Sequence, residues 1–406
     1  MDRNSQSSSG DKAMEKSVNV EAPASPDSTD LKREDIRRAC QERDVKALVD
    51  YATSKDGLLD DELRRLAWPI LLGSDRTAEE GAEVSAWNDL PRHRDEDQVK
   101  LDVDRSFVYY PNCPAKELDD RKQELSDLIT ETLRRYPMLC YFQGYHDIAQ
   151  VLLLVLGAQQ ARQAFARVSL FRIRDYMLPS LSPAVKHLQL IPAILESTDP
   201  KLRRHLAGTQ PFFALAATLT LYAHDIQEYG DIARLYDFLL AHEPVVAIYL
   251  FAAIILSRKK ELLEIPVNEP EMLHFTLSKL PKPLDLEGLI VAALELFRSH
   301  PPESLPFRAW QRIPRSSVLK TSRKLALEST TEEAKELFDL QTRELRREEF
   351  RKKTYAVMWR YRKPAGSVGL AILIALVSFY IRRKGLDAPI WNYVGRLKEV
   401  FHYARW

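Results

Sequence analysis

The chain predicts an all-α fold, and three observations carry that reading. Glycine is sparse, 13 in 406 residues; stretches rich in Leu, Ala, Arg and Glu repeat at helical spacing; and alternating strand patterns are hard to find. The length suits one large or two ordinary domains with a sizeable core. Lys plus Arg (59) nearly balance Asp plus Glu (58), so no global charge excess recommends nucleic acid as a partner. The three cysteines, Cys40, Cys113 and Cys140, show no CxxC spacing. That argues against a disulfide framework or a structural zinc site and favours reduced, cytosolic surroundings.

Taken in order, residues 1–30 are polar and Ser-rich, lack the apolar core of a signal peptide and are expected to be disordered. Apolar Ile36, Ala39, Val45, Leu48 and Val49 punctuate a charged background and predict one or two short helices. "DGLLDDELRRLAWPILLG" reads as a turn at Asp56-Gly57 followed by a helix capped by Asp60 or Asp61, with Gly73 as its stop. A polar, proline-broken connection from Arg76 to Arg94 leads into "QVKLDVDRSF" and then the loop "YYPNCPA", which places Arg105 near the end of a short ordered segment. The apolar runs Ile148 to Gly157 and Pro244 to Leu256 fall below the ~20 residues usually needed to span a bilayer, so they predict buried core helices.

A helical domain over 31–300 is therefore expected, then a linker over 301–363 carrying a charged, solvated helix from about Thr331 to Lys353. Pro364 to Ile381, "PAGSVGLAILIALVSFYI", has no charge and lies between Arg362-Lys363 and Arg382-Arg383-Lys384. That is a membrane-anchor pattern, and 364–382 is expected to be a transmembrane helix. A 17-residue apolar helix reaches about 26 Å, close to a thin, ER-like bilayer. In the tail 383–406, Ile390, Val394, Leu397 and Phe401 recur at helical spacing and fit either a short interfacial helix or an ordinary tail.

Arg105 and Gln143 are the residues that chemistry singles out. Arginine offers a planar, permanently charged fork for phosphate oxygens, while glutamine can accept from and donate to one water. Those are two parts of a phosphoryl-transfer site: charge on the transferring group and orientation of the attacking water. The sequence has no GxxxxGK[ST] loop and no GxGxxG, so any nucleotide is expected to arrive on a partner.

"RLAW" (Arg64, Trp68), "VKLDVDR" (Val99, Asp102, Arg105) and "YFQG" (Tyr141, Gln143, Gly144) occur in order, about 35 to 40 residues apart. Together they resemble the three signature motifs of TBC domains, the Rab GTPase-activating module. "LTLYAHDI" and "ARLYDFLLAHEPVVAIYLFAAIIL" extend the likeness over about Gly57 to Leu256 and toward Phe297. Phe142 stands where many relatives carry Tyr or Cys, and Val99 where Ile is commonest. "YFQGYHDI" followed by a C-terminal membrane segment is similar to membrane-anchored ER TBC proteins acting on the Rab of ER-to-Golgi traffic.

The resemblance implies a multi-helix TBC-type domain that inserts an arginine and a glutamine into the nucleotide pocket of a GTP-bound Rab. Carried onto this chain, Arg105 stabilises charge on the β/γ phosphoryl oxygens and Gln143 positions the hydrolytic water. Asp102 restrains Arg105, Tyr141 and Gly144 shape the loop presenting Gln143, Asp147 anchors the following helix, and Arg64 and Trp68 act as scaffold. The chain needs no cofactor or metal of its own, because the Rab carries GTP and Mg²⁺. An ER or Golgi membrane location with a cytosolic domain and a single C-terminal anchor follows from the same likeness.

Three rivals stand beside it. His146-Asp147 and His224-Asp225 resemble the metal-binding pairs of HD-type phosphohydrolases. Asp102-Val103-Asp104 spells the DxD of glycosyltransferases, with no α/β nucleotide-binding pattern around it. A membrane-anchored Rab-binding scaffold without catalysis is the non-enzymatic alternative, and the joint presence of Arg105 and Gln143 argues against it.

Overall fold

A computed structural model describes residues 26–75, 86–111, 114–323 and 327–383, and every regular element among them is helical. The chain forms two compact units, Met1–Lys335 and Glu336–Trp406.

The first unit begins with α1 (Pro26–Glu42), α2 (Val45–Thr53) and α3 (Asp61–Leu72), which pack on one another. Helix α1 starts inside the stretch expected to be disordered; an N-terminal proline suits a first helical turn, and Ile36 and Ala39 bury its inner face. Residues 1–25 lie outside the described residues. Asp60 caps α3 by accepting from Leu63 N at 3.1 Å, and Gly73 ends it at φ 66°. Part of the polar connection, 76–85, lies outside the described residues, as does Cys113.

Next come α4 (Glu96–Val103), α5 (Ala115–Arg135) and α6 (Tyr145–Phe171), with α5 and α3 both packed along α6. The apolar run that ends at Gly157 is buried as expected, yet the helical path continues beyond it. Gly157 adopts φ 72°, ψ 165°, which breaks the helix into two segments at the one residue type that takes that conformation without strain. The second apolar run forms the helix Val246–Ser257, buried from Val246 through Ile255 and packed against the helix Leu286–Ser299. A helix apolar all round is the signature of a core element.

The expected linker helix and anchor are one continuous helix, Thr331–Arg383, with Pro364 inside it. Pro364 forfeits a backbone hydrogen bond without ending the helix. Ile372, Leu373, Ile374, Leu376, Val377 and Phe379 are exposed. Among the described residues no helix is long and apolar enough to cross a membrane, so the expected transmembrane span over 364–382 has no support there. The side chains of 360–370 and 381, and the whole of 384–406 with its amphipathic pattern, lie outside the described residues.

Candidate functional site

The first motif builds the floor. Arg64 and Trp68 lie one turn apart on α3 and converge on the carboxylate of Asp237, a fully buried residue of the helix Tyr229–Ala241. Arg64 Nε donates to Oδ1 at 3.0 Å and Nη2 to Oδ2 at 3.1 Å, Trp68 Nε1 donates to Oδ1 at 2.9 Å, and Leu58 N donates to Oδ2 at 3.0 Å. Burial disfavours the Arg64 charge, but Asp237 and Asp61 more than offset it and hold its pKa above the ordinary value. Neither Arg64 nor Trp68 is exposed.

The second motif closes α4. Val99 and Asp102 face inward, while Arg105, in the turn that follows, keeps its side chain 66% exposed. Arg105 Nη2 donates to Asp102 Oδ1 at 2.6 Å, and its Nε donates to Leu101 O at 3.2 Å. A buried carboxylate thus holds one terminal nitrogen of an exposed guanidinium.

The third motif is strapped on both sides. Leu139 O accepts from Arg94 Nη2 at 3.2 Å, Cys140 N donates to Met177 O at 2.8 Å, and Tyr141 N donates to Asp95 Oδ2 at 2.9 Å. Phe142 packs on Tyr145, which is fully buried and stacked on Phe165. Gly144 has φ 97°, and a Cβ there would lie 2.5 Å from Thr220 Cγ2, so a glycine is needed for both backbone and space. Gln143 is left exposed, with no side-chain hydrogen bond among the described residues.

Asp102 joins the second and third motifs: its Oδ1 holds Arg105 and accepts from Gln98 Nε2 at 3.1 Å, and its Oδ2 accepts from the Tyr141 hydroxyl at 2.8 Å. Arg105 and Gln143, each exposed, therefore project from segments tied to one buried carboxylate. A second tie runs from Phe107 N to Gln150 Oε1 on α6, at 3.0 Å. Asp147 faces His224 and His146 rather than capping its helix through its side chain.

Sequence reasoning missed Asp237, Gln98 and Gln150. Asp237 sits in "ARLYDFLLA", where an acid amid apolar residues at helical spacing is a signal for a paired buried charge. Gln98 is four residues before Asp102, one turn away on the same helix face. The DxD reading separates, since Asp102 is buried and Asp104 exposed. The two His-Asp pairs do come together, but among the described residues no group of three or more His, Cys, Asp or Glu side chains is arranged to hold a metal ion.

The described residues thus form an all-helical frame in which Asp102 ties Arg105 to Tyr141, two residues before the exposed Gln143. The chain belongs to the Rab-GTPase-TBC domain family, which it matches over residues 61–263. It is 33% identical over 294 residues to the GTPase-activating protein gyp10 of Schizosaccharomyces pombe, covering 71% of this chain and 78% of that one. It is 36% identical over 265 residues to human TBC1 domain family member 20, covering 64% of this chain and 65% of that one. Among solved structures, the Ypt/Rab-GAP domain of Gyp1p is a looser likeness, at 14% identity and TM-score 0.49, over 62% of this chain and 92% of that one.

Proposed function

We propose that the chain accelerates GTP hydrolysis on a GTP-bound Rab of ER-to-Golgi traffic by supplying Arg105 and Gln143 in trans. The observation that carries this reading is the Asp102 carboxylate, which bonds Arg105 on one oxygen and Tyr141, two residues before Gln143, on the other. Two exposed side chains are thereby held on one rigid base. Arg105 supplies positive charge to the β/γ phosphoryl oxygens as bond breaking proceeds, and Gln143 accepts from and donates to the attacking water. GTP and Mg²⁺ come with the Rab, and no nucleophile from this chain takes part. The named activity of gyp10 supports the same reading.

Anchoring through 364–382 to the ER or Golgi membrane belongs to this proposal, with the catalytic domain cytosolic. Its support is the charge-free stretch between two basic clusters and the exposed row Ile372, Leu373, Ile374, Leu376, Val377 and Phe379, apolar surface that lipid would cover. A panel of GTP-loaded Rabs incubated with the chain tests the activity and finds the substrate. Arg105→Ala is expected to cut stimulation by about 10³ to 10⁵ while the fold persists. Unchanged stimulation by folded Arg105→Ala contradicts the mechanism, and binding without stimulation by the unmodified chain favours the non-catalytic scaffold.

A further inference from the structure

The first unit holds a cavity of about 390 Å³ that the proposed GTPase activation does not use. The short helices Ser182–Leu188, Leu190–Thr198 and Pro200–His205 contribute to its walls, and the chain from Phe307 to Arg312 adds to them. Cavities of roughly 300–1,000 Å³ are the size that holds small molecules. Leu195, Leu206 and Phe213 give it a buried apolar wall, while Phe307, 53% exposed, stands where it opens to solvent. Phe307 and Arg308 take φ 60° and 54°, left-handed conformations that cost backbone energy in any residue but glycine. Lys186, Arg203 and Arg312 also line the cavity, and no acidic side chain does.

Arg203 carries the second observation. Its Nε is buried and has no hydrogen-bond partner among the described residues. The acid one turn earlier, Asp199, is engaged elsewhere: its Oδ1 accepts from Leu202 N at 3.0 Å and its Oδ2 pairs with Lys259. A buried donor with no acceptor is costly, and a guanidinium does not escape by losing its proton. Water can accept from Nε, but it does not balance the charge that Arg203 and the exposed Arg312 bring to one acid-free cavity. An anion does both.

We propose that this cavity binds a small phosphate monoester carried on an apolar body, with the phosphate on Arg203 and Arg312 and the body against Leu195, Leu206, Phe213 and Phe307. The guanidinium fork matches phosphate oxygens, and a dianion suits two such forks. A purely apolar ligand leaves Arg203 Nε unanswered, and a bare inorganic anion leaves the apolar wall uncovered. The same chemistry has two sources, a soluble phosphorylated metabolite or the headgroup of phosphatidate in a membrane. The inference does not rest on GTPase activation, since no lining residue belongs to the network of Arg105, Asp102 and Tyr141.

The test titrates the full chain, held in phosphatidylcholine nanodiscs, with phenyl phosphate in a calorimeter. Inorganic phosphate and benzyl alcohol serve as the probes that carry only the charge and only the apolar body. Phenyl phosphate is expected to bind saturably and at least about tenfold more tightly than either. Arg203→Gln and Arg312→Gln are each expected to weaken it by about tenfold or more. Arg203→Gln is expected to fold, because no protein acceptor of Nε is lost. Ala207→Trp, which fills the cavity from an exposed lining position, is expected to abolish binding and keeps the test decisive if an arginine variant does not fold. Phosphatidate added to the discs lowers the apparent affinity for phenyl phosphate if a lipid headgroup is the source and leaves it unchanged if the source is soluble, and both results retain the phosphate chemistry. Absence of saturable phenyl phosphate binding overturns the proposal. So does binding that keeps its affinity in Arg203→Gln, Arg312→Gln and Ala207→Trp.

Discussion

Asp237 shows how a single buried carboxylate organises the scaffold. It takes four donors, two of them from Arg64, which is itself buried and whose Nη1 also donates to Asp61 at 3.0 Å. Removing one partner of a buried ion pair leaves an uncompensated charge, typically at a cost of about 3–5 kcal/mol. Asp237→Ala is accordingly expected to lower the unfolding free energy by about that amount in urea titration, whereas a loss well under 1 kcal/mol would mean that Arg64 finds another acceptor. Asp102 has a different task. It is equally buried, but its Arg105 partner is mostly exposed, so the pair restrains direction more than it stabilises the fold. The contrast separates the two aspartates: Asp237 belongs to stability, Asp102 to aim.

Among the elements, those with strong local signals were legible in the sequence. Asp60, Gly73 and the apolar spacing between them defined α3, and the two apolar runs reported the buried helices because no charged side chain interrupts them. The three motifs singled out Arg105, Gln143, Arg64 and Trp68 and the pairing of Asp102 with Arg105, while Asp237, which holds Arg64 and Trp68, escaped. Asp237 lies 173 residues from Arg64 and His224 lies 77 from Asp147, and periodicity reports nothing about which distant helices touch. Helix limits were also less legible. Helix α1 begins at Pro26, where composition suggested disorder, because tertiary burial of Ile36 and Ala39 supports a segment too short and polar to be helical alone. Pro364 looked like a boundary and is not one, since a single lost hydrogen bond does not outweigh long flanks of good helix formers.

For the whole molecule, the proposed function assigns GTPase activation to the helical unit bearing Arg105 and Gln143 and membrane anchoring to 364–382. Deleting 364–406 is expected to yield a protein that leaves the membrane fraction and keeps its stimulation of Rab hydrolysis. Retention of that truncated protein on membranes would place the anchor elsewhere. The family assignment supports GTPase activation, and the Asp102 bridge from Arg105 to Tyr141 supports the proposal that Arg105 and Gln143 complete it. The most direct measurement is single-turnover GTP hydrolysis by a responsive Rab whose own catalytic glutamine has been replaced by alanine, with unmodified chain or Gln143→Ala. If Gln143 orients the water, the unmodified chain still stimulates that Rab and Gln143→Ala does not. A glutamine-less Rab that ignores the unmodified chain, or responds equally to Gln143→Ala, contradicts the account.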